Sequence, residues 1–417
     1  MDRARKILMG AVILLSIAAG ALMAMPSTSF AAKFAVNSTD DIVDAAPGDG
    51  ICETAAGNGI CTLRAAVQEA NAFAGQDKIV LKAKKYSLIA GSEGESGGAG
   101  EDAAATGDLD ITESVTIVGQ GSPYTSVDGS HLDRVFHIIG TAADVIKFSG
   151  ITVQNGNVLG QGGGIFNDSD AAVTITLCSI KDNLAYGNAG GGIASSGPLT
   201  IVSSIIARNV LYFGMSGSNA LGGGVAVTGP NATLSVTESK IVSNSVSAVV
   251  EPAIGESGSA WGGGIGVSGA NTVTISNSRI LSNTADSWSP SSLASSGGGL
   301  FISGGTNPAL ISASKISNNI ARGAAADGGG IAVIDASSTF KGCTVTGNAA
   351  TGVSAALGGG IYLQGDALMT VGISGLSRVT GNYAASSGGG IFASGAMVLN
   401  VAETATVANN APDDVAP

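Results

Sequence analysis

The stretch SSGGGIFASG, Ser386 to Gly395, sets three consecutive glycines directly before an isoleucine. The same arrangement begins at Gly162, Gly190, Gly222, Gly262, Gly297, Gly328, Gly358 and Gly388, and Ile, Val or Leu follows each time. Each copy ends in a β-branched-x-x-Asn signature, at Asn183, Asn209, Asn244, Asn283, Asn319, Asn348, Asn382 and Asn410. From first glycine to asparagine the spacing stays between 19 and 24, whereas from asparagine to the next triplet it ranges from 6 to 18. The near-constant part is the structural unit and the variable part a loop. Inside the unit apolar and small polar residues alternate, as in Val173, Ile175 and Leu177. A period of two means strand. Short strands recurring in register between Gly and Ser turns predict an all-β parallel solenoid whose coils rise by roughly 4.8 Å each.

Alignment on the asparagines exposes columns. Five residues before them stand Cys178, Ser204, Ser239, Ser278, Ser314, Cys343, Ser377 and Ala405, all small. Three before them stand Ile180, Ile206, Ile241, Ile280, Ile316, Val345, Val379 and Val407, a β-branched stack able to fill a tube. Cys178 and Cys343 share a column five coils apart, about 24 Å at the strand spacing, so both are expected as buried free thiols. In the last two coils the preceding apolar pairs, Val371 with Ile373 and Leu399 with Val401, sit one position further back, which reads as a bulge. The glycines fit a chain that turns sharply between closely stacked coils. A phosphate-cradling loop would need Lys-Ser/Thr after them, and a Ca²⁺-binding nonapeptide would need an aspartate in every turn. Neither pattern occurs. The asparagines read as a turn-stabilising amide ladder.

Composition agrees with a large thin-layered core: 44% hydrophobic, 12% charged, 4% aromatic, with 64 glycines in 417 residues. Residues 1–31 read as a signal peptide, with Arg3, Arg5 and Lys6, an apolar run from Ile7 to Met25, and Ser29-Phe30-Ala31 as cleavage site. A single membrane anchor is the competing reading of that run. No second run of spanning length follows, so no membrane span is expected after cleavage. Losing Arg3, Arg5 and Lys6 against Asp2 moves the formal net charge from −12 to −14, which argues against a nucleic-acid partner. Cys52 and Cys61, nine residues apart in a Gly-rich loop, suit a disulfide in an oxidising compartment. Half of a metal site is the rival, but no His or further Cys lies nearby to complete four ligands. Thr62 to Ala74 predicts a helix with Leu63, Ala66, Val67, Ala70 and Phe73 on one face, Thr62 as N-cap and Gly75 as stop. It would lid the open end of the tube. Residues 32–78 then form the cap, 79–161 irregular first coils, and 162–417 eight regular ones.

The stretch Phe34 to Ala72, with CTLRAAVQEAN at its end, resembles the N-terminal module of bacterial CSLREA-domain proteins. The GGGI and IxxN repeats resemble the GGA(I,L,V) and FxxN repeats of polymorphic outer membrane proteins. The resemblance implies a right-handed parallel β-helix in an exported or surface protein. No C-terminal membrane barrel is read after the repeats, and no sorting tail after Asp413-Asp414.

Three features are candidates for function. The long loops after Asn209, Asn244 and Asn283 belong to consecutive coils and should stack into one lobe; they carry Tyr212, Phe213, Glu251, Glu256, Trp261 and Trp288. Rings and carboxylates there can stack on sugars, anchor a protein, or simply glue the loops. Four residues before the asparagines runs a basic row, Lys240, Arg279, Lys315 and Arg378, interrupted by Thr344. It should face solvent with Glu238 as a local counter-charge, and can hold an anionic glycan by charge-assisted hydrogen bonds. Finally Asp108 and Asp110, with His131, Asp133, Arg134 and His137, place carboxylates near histidines, as acid/base chemistry on a glycosidic bond requires. No coil of the repeats clusters acids with a His, Lys or Arg as the pectinase-type enzymes on this fold do. The expectation is therefore a secreted or surface binder of glycan or another surface, without cofactor or metal, with a polysaccharide lyase or glycosidase as the alternative.

Overall fold

The computed structural model describes residues 31–89, 102–213, 219–249, 258–288 and 294–417; the signal-peptide stretch lies almost wholly outside them. Every strand pair recorded is parallel, and each strand bonds to its equivalents one coil before and one coil after. Three sheets enclose the core. Face I has 12 strands from Lys33–Ala35 to Val398–Val401, face II has 11 from Lys85–Ser87 to Thr406–Ala408, and face III has 11 from Leu109–Ile111 to Val415–Ala416. The apolar residues of the alternating strands point inward: Ile165, Ile193 and Val225 from face III, Val173, Ile175 and Ile201 from face I, Ile180, Ile206 and Ile241 from face II. Few rings are needed because each coil contributes a thin layer of aliphatic side chains.

After each asparagine the chain leaves this tube. A fourth sheet is built from outgoing arms, such as Val210–Phe213, Ser245–Val249 and Thr284–Trp288, and return arms, such as Ala220–Leu221, Ala260–Trp261 and Ala294–Ser296. The long strand Ile320–Asp327 pairs with both sets. The arms form a fin with its own small core, in which Leu211, Phe213 and Val246 pack with Ala220 and Ala260. Its return arms then lie over the outer side of face III, Leu221 and half-buried Trp261 packing with Ala226 and Phe301.

The glycine triplet and the asparagine turn out to be one device, because the start and end of each coil meet. The first glycine adopts a left-handed φ, +66° at Gly262. A Cβ on the second would sit 2.4 Å from the carbonyl oxygen of Thr284, the first residue beyond the coil's asparagine, and one on the third 2.9 Å from the Asn283 amide itself. The returning chain thus passes directly beneath the departing one, and only glycine lets it through. The asparagines then run as a continuous ladder. Asn244 Nδ2 donates to Asn283 Oδ1 at 3.0 Å and Asn283 Nδ2 to Asn319 Oδ1 at 3.0 Å, while each also donates to a main-chain carbonyl in the preceding coil. The ladder ends on Asp414, whose Oδ1 accepts from both the main-chain and side-chain nitrogens of Asn410.

The small column is a second ladder. Ser239 Oγ accepts from the Ser204 nitrogen, Ser278 from Ser239 and Ser314 from Ser278, at 3.1 Å each. Cys178 and Cys343 stand in this column as buried free thiols, and burial pushes the Cys178 thiol up to about 11.

Several expectations are corrected. The extra residue of the last coils is not a bulge: Phe340 and Ile373 remain register partners, and the addition sits in the turn at Gly375-Leu376. The tube starts before residue 79, since Lys33–Ala35 already pairs with Asp77–Val80. The helix α1, Leu63–Ala72, has Thr62 as N-cap, accepting from the Ala65 nitrogen. It is not a one-sided lid, because Arg64, Gln68 and Glu69 are buried too, under residues 41–50 and 103–108. Arg64 pairs with Asp41 at 2.7 Å and donates to the carbonyls of Ala104, Thr106, Gly107 and Asp108. Glu69 accepts from the nitrogens of Gly48 and Gly50, and Asn71 clamps Asp110 and Thr112 main-chain atoms. The polar half of CTLRAAVQEAN therefore holds the cap together. Cys52 and Cys61 are disulfide-bonded, Cα atoms 5.0 Å apart, and close the adjoining loop.

Candidate functional site

The basic row is aligned strand by strand. On face II, Lys240 is the register partner of Arg279, Arg279 of Lys315, Lys315 of Thr344 and Thr344 of Arg378. All four cations are exposed, because their strand neighbours Ile241, Ile280, Ile316 and Val379 take the inward positions. Among the described residues none of the four forms an ion pair. Glu238 accepts from the Ser203 hydroxyl instead of meeting Lys240. Lys240, Arg279 and Lys315 follow one another at one strand spacing, roughly 4.8 Å, and Arg378 follows at two, across Thr344, so the row is a linear cationic array on an acidic molecule. The column runs from Lys85, which pairs with Asp128, through Ser126, Thr152, Ser179 and exposed Ile205 to the row, and ends with Thr406.

The columns that flank the row are mostly uncharged; the exception beside it is exposed Lys341, register partner of Ser312 on face I. Two residues on, along the same strands, lie half-buried Val242 and Leu281, then Ser317, Thr346 and Thr380. Across the corner, the outer side of face I presents Thr237, Ser276 and Ser312 in register. These hydroxyl positions escaped the sequence reading, although the outward residues of TLSVT (Thr233–Thr237) and TVTIS (Thr272–Ser276) were the available signal.

The fin distributes the loop residues unevenly. Tyr212 is 40% exposed and stacks on Tyr186 of the preceding coil, ring centroids 5.8 Å apart. Phe213 points the other way and is buried in the fin core. Trp261 stacks on Phe301 at 4.9 Å, binding the return arm to face III. Trp288 ends its strand in register with Val249, and Glu251 and Glu256 lie outside the described residues. Among the described residues, Tyr212, Phe213 and Trp261 thus take three different environments. Tyr186 was missed, yet it stands three residues after Asn183 as Tyr212 does after Asn209.

The carboxylates near the cap do meet, but inside the molecule. Asp108 accepts from Arg134 Nη1 at 2.8 Å, and Asp110 lies 3.2 Å from His137 Nδ1. Asp108 and Asp110 are buried, Asp110 also accepting from the Ala104 nitrogen, and His137 stacks on Phe166. Burial pushes Asp108 up to about 7 even though Arg134 opposes it, and burial also raises Asp133. His131 sits on a left-handed turn, 6 residues before His137, and takes no part. Carboxylate oxygens of Asp102 and Asp110 and a His137 nitrogen lie within 4.8 Å of one another, close enough to share an ion.

A family model described as "Right handed beta helix region" matches residues 218–368. With its stacked parallel coils, the protein is a right-handed parallel β-helix. Similar solved structures include two Azotobacter vinelandii mannuronan C-5 epimerase A-modules. That of AlgE4 is 15% identical, over 89% of this chain and 97% of that one, at a TM-score of 0.37; that of AlgE6 is 13% identical, over 92% and 97%, at 0.36. No curated protein matches the sequence.

Proposed function

We propose that this is an exported β-helix protein of the cell surface or extracellular matrix that binds an acidic polysaccharide on the cationic row of face II. The observation carrying this reading is the alignment of Lys240, Arg279, Lys315 and Arg378, exposed and without ion-pair partners among the described residues, on a chain of net charge −12. Cations left unneutralised in such a molecule, and held in line by the fold, supply repeated charge-assisted hydrogen bonds to carboxylates. The apparent signal peptide and the kinship suggested by the cap and repeat motifs support export. No helix among the described residues is long and apolar enough to cross a membrane. Burial of Asp108 and Asp110 beneath the cap weighs against the alternative, a polysaccharide lyase or glycosidase, because a saccharide cannot reach them.

Retention of the purified protein in a gel containing polygalacturonate, compared with a neutral glucan, tests the reading. Retention by the uronate alone, abolished in the Lys240→Ala/Arg279→Ala/Lys315→Ala variant at unchanged Tm, is expected. Equal retention of that variant, or release of unsaturated uronates by the native protein, would overturn it.

A further inference from the structure

Resting on that reading, we infer that the row measures ligand length: a linear polyuronate lies parallel to the solenoid axis with one sugar per coil, and Thr344 is an unfilled subsite. Direction follows from charge placement. Along the axis a chain crosses four cations in five consecutive register positions. Across the strands it would meet one cation per coil, a row residue or, on the Thr344 coil, Lys341 of face I, and then half-buried Val242, Leu281 or Thr346 or buried Ser317. Only the axial path engages several of the row's charges with one ligand.

Period follows from the fold. The positions of the row repeat at one strand spacing, roughly 4.8 Å, and a hexuronate ring in an extended linear chain advances by nearly that distance while presenting one carboxylate. Each sugar therefore meets one position of the row, which carries a long flexible cationic side chain everywhere but at Thr344. Val242 and Leu281 offer apolar surface to ring C–H groups, and the threonine and serine columns offer partners to ring hydroxyls. The ends are defined as well, by Ile205 before Lys240 and Thr406 after Arg378.

Affinity should consequently rise in steps as the ligand grows. A trisaccharide fills Lys240, Arg279 and Lys315. A fourth sugar reaches only Thr344 or Ile205 and gains little. A fifth reaches Arg378. Each exposed charge pair is worth a factor of about two to five, multiplied along one tethered ligand and screened by salt. The stall at four is the signature of this register, since a ligand held by diffuse attraction would gain smoothly with charge.

The test is calorimetric titration with homogeneous oligogalacturonates of two to seven sugars, on native protein and on Thr344→Lys, with Tm of each. Gains at three and five with a plateau at four are expected, and Thr344→Lys should remove the plateau and tighten the tetramer about two- to five-fold. Thr344→Arg serves if the lysine variant does not fold. A smooth rise in the native protein, or a filled Thr344 position without effect, would overturn the register while leaving polyuronate binding intact. Absence of binding at every length, polymer included, would overturn the proposed function itself. Equal binding of neutral oligosaccharides would do the same.

Discussion

At the scale of single residues, the asparagine and the glycine below it carry the fold. Asn283 accepts from the main-chain and side-chain nitrogens of Asn244 and donates to Ile241 O and Asn319 Oδ1, all buried. Asn283→Ala leaves several of these groups unpaired, at about 1–3 kcal/mol for each buried orphan. The expected loss of unfolding free energy is at least about 3 kcal/mol. Asn410→Ala, at the partly exposed end of the ladder, should lose about 1 kcal/mol. Urea titration distinguishes the two, and equal losses would show that the ladder's interior is not special. Gly264→Ala should yield no soluble protein, since its Cβ would lie 2.7 Å from the Gly299 carbonyl. The columns were readable because both residues recur at nearly fixed spacing. That glycine and asparagine belong to one contact was not, because 19 to 24 residues separate them and nothing in a one-dimensional period says which corners coincide.

Among the elements, α1 and the disulfide loop decide how the first coil ends. The sequence reading found the apolar side of the helix, from Leu63 to Ala70, because that side obeys helical spacing. It could not see that Arg64, Gln68 and Glu69 are buried as well. Apart from the Asp41 carboxylate, their partners are main-chain atoms of irregular segments, such as Gly48, Gly50 and Ala103 to Asp108, which leave no periodic trace. Arg64→Met removes a buried pair and leaves Asp41 and four carbonyls without their guanidinium. Such a change costs about 3–5 kcal/mol, and hydrogen exchange should quicken in Lys33 to Val118 while the coils beyond Asn319 keep their protection. Uniform loss would mean that the tube unfolds as one unit. The double variant Cys52→Ser/Cys61→Ser should forfeit roughly 2–3 kcal/mol for the loop it closes.

For the molecule as a whole, pH acts through buried carboxyls. Burial lifts Asp108 to about 7 and Asp327 to about 6, both above the ordinary carboxyl value. The folded chain thus keeps protons that the unfolded chain releases once pH passes about 4. Stability from these groups is complete below that pH and is lost as pH rises through about 6 and 7. Tm should fall between pH 5 and pH 8, and Asp108→Asn should flatten the fall; an unchanged slope would assign it to other groups. Asp182 behaves oppositely. Burial disfavours its charge, but Arg208 and Lys181 hold it below its usual range, so its contribution fades only in stronger acid. The tube and the exposed cations were legible from alternation alone, whereas the fin was only half legible. Its loops could be counted, but Tyr212 and Phe213 part company there and Trp261 ends against face III, outcomes set by the packing of arms from different coils.

Because every rung fastens its own beginning to its own end, excising or duplicating a complete one leaves its neighbours facing matched edges. A gene encoding such a ladder can shorten or extend its product by in-frame loss or gain of one equivalent segment, without redesigning either terminus. Reach toward a partner then becomes a heritable integer, adjusted by copy number rather than by substitution.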